Sequence, residues 1–181
     1  MYLGNVKKGE IEIAKENLIY ENKYCKFYND NVVFPSGVSG NYIRFLYNKP
    51  FSVAVLAITT DNKIVLIKTF RHAQRGWGLE IPKGFGEIGE QPIETAKREL
   101  LEETGMEYGK IEFAGKYQES PGLIQGGLYC FLATNCKKIS NIKLDEEETI
   151  EKVIYATSIS SLEGYDYKDA ITEMLMLKYL K

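Results

Sequence analysis

Apolar and polar positions alternate in short runs through the first part of the chain, and the runs lengthen afterwards. Between Lys8 and Tyr47, tyrosine- and β-branched-rich stretches occur at Ile11 to Ile13, Tyr24 to Tyr28, Val32 to Phe34 and Tyr42 to Tyr47. Polar or glycine-rich segments separate them, among them Asn29-Asp30-Asn31 and Ser36-Gly37-Val38-Ser39-Gly40. Short runs bounded by such residues predict strands joined by turns, hence a small antiparallel sheet. A sheet of that size rarely holds alone in water and needs the rest of the chain, or a second copy, to pack on. Asn48-Lys49-Pro50 marks the expected boundary between an N-terminal β subdomain over 1–48 and a larger domain over 49–181.

Past that boundary, Phe51 to Ile58 and Lys63 to Phe70 are apolar β-type runs joined by Thr59-Thr60-Asp61-Asn62, which predicts a hairpin. A long loop carrying Arg71, Arg75, Gly76 and Gly78 is expected next. Pro92 suits the first turn of a helix, where its missing N–H costs nothing, and Gly105 suits the position just past the end, so a helix is expected over Pro92 to Thr104. Further strands are expected at Ile111 to Tyr117, Gly127 to Thr134 and Ile150 to Thr157, then a last helix over Tyr167 to Leu180. The class is mixed α/β (α+β), with a helix on a mostly antiparallel sheet.

Composition narrows the chemistry. At 181 residues with 44% hydrophobic content, the chain can build a full core, hiding roughly 70% of its unfolded surface. Cys25, Cys130 and Cys136 are odd in number and widely spaced, which excludes a disulfide framework and a CxxC zinc ribbon and fits reduced cytosolic thiols. His72 is the only histidine, so acid–base or metal chemistry falls to carboxylates, and His72 itself reads as a structural donor. No apolar run approaches the roughly 18 residues of a membrane span, and the start lacks a signal-like apolar stretch. A soluble, cytoplasmic protein is expected. The net charge of −2 provides no basic field for nucleic acid.

The helix over Pro92 to Thr104 holds the most informative positions. At about 100° per residue, with Glu99 at zero, Glu103 falls near 40° and Glu102 near −60°, while Ala96 and Leu100 lie beside them. Three carboxylates thus share a face that borders the apolar stripe. Glutamates on a helix commonly form a solvated face, but clustered anions beside a core would take up protons unless a cation neutralised them. Mg2+ or Mn2+ suits an all-oxygen site, and Lys97 and Arg98 balance only part of the charge. Gly84, Gly86 and Gly89 lie upstream, where they free the backbone to approach a ligand.

Gly84, Glu90, Arg98, Glu99, Leu100, Glu102, Glu103, Gly105 and Met106 fill every position of the pattern G-x5-E-x7-R-E-U-x-E-E-x-G-U, U being a bulky apolar residue. The segment resembles the Nudix box without departure. The resemblance implies a Nudix fold, a mixed β-sheet sandwiched by helices, and hydrolysis of the pyrophosphate in a nucleoside diphosphate joined to another group. It implies Glu99 and Glu103 as main ligands of Mg2+ or Mn2+, with Glu102 assisting, and an ion pair of Glu90 with Arg98, buried and structural, locking loop to helix.

Glu80-Ile81-Pro82-Lys83-Gly84 and Thr69-Phe70-Arg71-His72 are similar to segments of the ADP-ribose pyrophosphatase subgroup, and Pro121 stands 16 residues after Gly105 as in that subgroup. The likeness implies the backbone carbonyl of Lys83 as a further metal ligand, and an N-terminal sheet exchanged across a homodimer. It favours ADP-ribose or a close nucleotide sugar, cut to AMP and ribose 5-phosphate in the first case. Gly126 departs from the subgroup, which carries an acid there, and this puts substrate recognition in doubt. Asp145-Glu146-Glu147-Glu148 can be a solubilising loop. By the resemblance it closes over the metals, with Glu148 a ligand and Glu146 the base, and Glu147 able to exchange with either. Arg71, then Arg75, are candidates to clamp phosphate or to pair structurally. Glu80 and Trp77 complete the substrate candidates, although a lone aromatic more often packs. Another Nudix substrate (a dinucleoside polyphosphate, NADH, a GDP-sugar), a non-catalytic ADP-ribose-binding module, and nucleic-acid decapping remain as alternatives. The intact acids argue against the module, and the charge against decapping.

Overall fold

The computed structural model describes residues 2–144, 146–147 and 149–180. Two compact units emerge, one formed by the chain up to Pro50 with Gln118–Gly127, the other by Phe51–Tyr117 with the chain from Leu128 onward. The first unit is a five-stranded sheet of β1 (Glu12–Lys15), β2 (Leu18–Glu21), β3 (Cys25–Val33), β4 (Ser39–Tyr47) and β11 (Ile124–Gln125), ordered β1-β3-β4-β11 with β2 also on β3. Only β11 runs parallel to its neighbour.

Asn29-Asp30-Asn31, expected as a turn, lies in the middle of β3, opposite Ile43, Tyr42 and Asn41. Asp30 is 2% exposed. A lone buried charge would forbid that placement. Here Arg44 Nε donates to Asp30 Oδ2 at 2.8 Å and the Asn17 N–H to Oδ1 at 3.1 Å, so one continuous strand replaces two.

The second unit is built on an eight-stranded sheet. Its strands are β5 (Ser52–Thr59), β6 (Ile64–Arg71), β7 (Gly76–Glu80), β8 (Lys83–Phe85), β9 (Met106–Glu107), β10 (Lys110–Tyr117), β12 (Leu128–Lys138) and β13 (Ile150–Ala156). The order is β10-β12-β5-β6-β13, with β7 on β6, β8 on β5 and β9 on β12. β12 and β5 pair in parallel and the rest antiparallel.

Alternation along β5 assigns the two faces. Val53, Val55 and Ala57 pack with Ala96 and Leu100 of helix α1 (Pro92–Thr104). Ala54 and Leu56 pack with Ile171, Leu175 and Met176 of helix α2 (Ala170–Tyr179). A strand buried on both faces reads as a near-continuous apolar run, as Ser52 to Thr59 does. The expected hairpin is present: Thr59 N–H reaches the Lys63 carbonyl at 2.8 Å, and Asn62 takes φ 58°. Helix α1 ends as its caps dictate, Gly105 at φ 70° returning its N–H to the Leu101 carbonyl. Helix α2 starts at Ala170 rather than Tyr167, because Asp169 caps it by accepting from the Thr172 N–H. Among the described residues no helix is long and apolar enough to cross a membrane.

Candidate active site

Glu99 and Glu103, one turn apart on the inner side of α1, are 5% and 4% exposed. They can sit there because β8 comes close without a side chain in the way: a β-carbon on Gly84 would overlap the Glu99 carboxyl group. One residue earlier, the Lys83 N–H donates to Glu103 Oε2 at 2.9 Å. Gly84, Lys83, Glu99 and Glu103 are therefore brought together, and the strand's backbone lies directly against the acids.

Arg98 is the cation within this group. Its Nη1 donates to Glu99 Oε1 at 2.8 Å and to Glu102 Oε2 at 3.0 Å, and its Nη2 to the Phe85 carbonyl at 3.0 Å. Nε and Nη2 reach the two Glu90 oxygens at 3.2 and 3.4 Å. The Glu90–Arg98 pair is half-buried rather than buried, Arg98 keeping 33% of its side chain exposed. Arg98, joined by the Glu87 N–H, holds the Glu90 carboxyl at about 2. The same pair pins the loop before α1 to the helix.

A second constellation lies on β6, β7 and β8. Arg71 forks onto Glu80, Nε to Oε1 at 2.9 Å and Nη2 to Oε2 at 2.7 Å. The Tyr167 hydroxyl also donates to Oε1, at 2.6 Å, and Lys83 Nζ stands 3.2 Å from Oε2 and 2.6 Å from Asp169 Oδ1. Burial alone would push the Glu80 carboxyl up; Arg71, Lys83 and Tyr167 outweigh it and hold it at about 2. Burial and Glu80 push the Tyr167 hydroxyl well above the ordinary tyrosine range, so it keeps its proton and remains a donor; Arg71, fastened to Glu80, is raised as well. The Arg71 side chain remains 46% exposed.

The other candidates are more dispersed. Trp77 packs edge-on to Phe70 with ring centroids 5.5 Å apart and lies under Lys68 Nζ at 4.9 Å. Arg75 is exposed, at φ 52°, and its Nη1 reaches His72 Nδ1 at 2.8 Å. A guanidinium can only donate, so Nδ1 accepts in this contact, which leaves Nε2 as the ring's donor nitrogen. Glu146 and Glu147 are exposed in a turn, and Glu148 and Asp145 lie outside the described residues. Lys143 and Thr149, the neighbours in sequence, are each held by the sheet or helix. Lys143 N–H reaches the Glu102 carbonyl on α1 at 2.8 Å, and Thr149 Oγ1 donates to the Phe70 carbonyl, next to Arg71, at 2.7 Å.

Sequence reasoning missed Tyr167 and Asp169, both of which it placed inside the last helix. The pattern Asp169-Ala170-Ile171-Thr172-Glu173, a capping residue before an apolar run, would have marked the helix start.

Among the described residues no group of three or more His, Cys, Asp or Glu is drawn together as a metal cage; Glu102 is turned to Arg98. The donor set still fits a hard dication. Two acids buried beside a backbone strand offer only oxygen, and anions so placed favour a cation with strong oxygen affinity. Glu99, Glu103, Glu102 and the Lys83 carbonyl are the groups that would hold it.

The NUDIX domain family matches residues 49–169. The chain is 35% identical over 176 residues to the ADP-ribose pyrophosphatase of Bacillus subtilis (strain 168), covering 93% of this chain and 94% of that one. It is 34% identical over 145 residues to the methanol dehydrogenase activator of Bacillus methanolicus, covering 80% and 77%. A crystal structure of an ADP compounds hydrolase superposes with a TM-score of 0.78 over 93% of this chain and 92% of that one, at 21% identity, which speaks to the fold alone. With the box residues gathered on α1 and β8, and a family match over most of its length, the chain belongs to the Nudix family.

Proposed function

We propose that this Nudix pyrophosphohydrolase cleaves the pyrophosphate of ADP-ribose or a related nucleoside diphosphate sugar, giving AMP and ribose 5-phosphate from ADP-ribose, with Mg2+ or Mn2+ as cofactor. The observation that carries the reading is the pair Glu99 and Glu103, buried on α1 with Gly84 and the Lys83 backbone against them. A divalent cation held there would offset charge on the pyrophosphate oxygens and make water a stronger acid. The chain's own residues do the rest. Water adds to one phosphorus, the bridging P–O bond breaks, and the water's proton passes to Glu146 or Glu148. Arg71 and Arg75 supply planar donors to phosphate oxygens, and Trp77 a surface for the base.

The substrate class rests on the likeness, over nearly the whole of both chains, to a protein named ADP-ribose pyrophosphatase. A homodimer fits the first unit, whose sheet leaves Tyr20, Tyr24 and Tyr42 exposed by 56%, 48% and 41%, an apolar surface that a second copy would cover.

The test is a panel of ADP-ribose, NADH, GDP-mannose, UDP-glucose and diadenosine polyphosphates with Mg2+, read by chromatography of products. AMP from ADP-ribose at the highest kcat/KM is expected. No turnover of any member would sink the enzyme reading, and preference for another member would move the substrate. The same sample should elute as a dimer on gel filtration, and a strict monomer would overturn the exchanged sheet.

A further inference from the structure

We propose that the segment Asp166–Thr172 is a strap that positions the Arg71 guanidinium for the substrate's phosphates, with Tyr167 as the positioning residue. The inference rests on the proposed pyrophosphate chemistry and adds to it residues outside the Nudix box.

The strap is recognised by how completely it follows β7 and its continuation. Asp166 meets Trp77 twice, its N–H donating to the Trp77 carbonyl at 3.0 Å and its Oδ2 accepting the Trp77 N–H at 2.7 Å. Gly76 and Gly78 leave room for it: a β-carbon on Gly76 would strike the Asp166 side chain, and one on Gly78 the Tyr167 ring. Further along, Thr172 Oγ1 accepts the Ile81 N–H at 3.0 Å, and Asp169 holds Lys83 Nζ. The glycines that made Gly76–Glu80 read as a loop are thus the footprint of the strap on a strand.

Its effect converges on Glu80. A carboxylate has about four acceptor positions. Arg71 Nε and the Tyr167 hydroxyl take two on Oε1, and Arg71 Nη2 and Lys83 Nζ take two on Oε2. A carboxylate only 3% exposed and filled in this way has one orientation available. Its two oxygens in turn fix the plane of the Arg71 fork, which keeps other N–H groups on a half-exposed side chain. Small displacements of such a clamp are costly to phosphate binding, because the fork works by alignment. Tyr167 acts on Arg71 through the carboxylate they share, so it positions and does not itself contact the substrate.

Tyr167→Phe keeps the ring over Gly78 and removes only the hydroxyl. The KM for ADP-ribose is expected to rise about fivefold, the size of one lost hydrogen bond, while kcat stays within about twofold and the melting temperature hardly moves. Calorimetry with ADP-ribose in EDTA, where nothing turns over, should show the same about fivefold weaker Kd. In an Arg71→Lys background, which has no fork to align, Tyr167→Phe should add nothing. Gly78→Ala, whose β-carbon displaces the ring, should weaken ADP-ribose as Tyr167→Phe does.

Unchanged KM and Kd in Tyr167→Phe, or the same factor in the Arg71→Lys background, would overturn the strap's role. Wild-type protein that binds ADP-ribose in EDTA yet never hydrolyses it would defeat the hydrolytic reading alone. Wild-type protein that does not bind it would remove the phosphate contact and the proposal with it.

Discussion

Arg71 and Arg98 both hold a glutamate at about 2, yet they do so in opposite ways. Arg71 spends one edge of its fork on a single carboxylate, Glu80, which is shut in at 3% exposure and saturated by Tyr167 and Lys83. Arg98 divides itself among Glu90, Glu99, Glu102 and the Phe85 carbonyl. A concentrated pairing fixes a cation in place. A distributed one lets the cation give up partners singly, so a dication could take over Glu99 and Glu102 while Glu90 and Phe85 keep Arg98 attached. One arginine is built to be aimed, the other to yield.

The contrast can be tested in descending order of effect. Glu103 accepts from the Lys83 N–H and lies buried on the inner side of α1, among the proposed metal ligands. Glu103→Gln is expected to lower kcat about 1,000-fold, since a divalent ion's hold on phosphoryl oxygens is worth several kcal/mol. Its melting temperature should hold or rise, because one anion leaves a crowded site. A melting temperature that collapses would assign Glu103 to structure instead.

Replacing each arginine separates the fixed pair from the yielding hub. Arg71→Met leaves Glu80 buried without its fork and should cost about 2 kcal/mol, less than a fully buried pair because Arg71 is half exposed. Arg98→Met should cost about 1 kcal/mol. Urea unfolding with and without saturating Mg2+ distinguishes them: the ion should recover much of the Arg98→Met loss and little of the Arg71→Met loss. Equal recovery in both would erase the comparison.

The last test is in pH. Both glutamates have folded values near 2 against an ordinary 4.5. A lowered carboxyl contributes stability that is complete above 4.5 and is lost as the pH falls toward 2. Thermal melts from pH 5 to 3 should therefore slope downward, and Glu80→Gln should flatten the slope. A variant as acid-sensitive as the wild type would show that Glu80 does not gain from folding.

Much of the site was legible because its spacing is local. The α1 bounds follow from Pro92 and Gly105, and the acid face from helical geometry, since residues within one helix meet by period alone. Three features were not legible, each for want of a distant partner. Asn29-Asp30-Asn31 looks like a turn until Arg44 neutralises Asp30. Gly76 and Gly78 look like a loop until Asp166 and Tyr167 fill the space they leave. Ile124–Gln125 is too short to register as a strand until β4 supplies the neighbour. Side chains that compensate one another across the chain leave no period to read.

Strand order also sets how much chain each pairing must enclose. Ile58 pairs with Ile64, Ala54 with Lys83, and Ser52 with Leu128, so the loops that must close grow from a hairpin to most of the unit. Chain closure slows as such contacts lengthen. The carboxylate helix and the strand against it rest on the shorter-range pairings of the unit. The parallel strand β12, which shares the apolar face beneath α1 through Phe131 and Ala133, is joined to β5 across the longest of these loops, so a site drawn from a short stretch of sequence rests on a floor supplied from far along the chain.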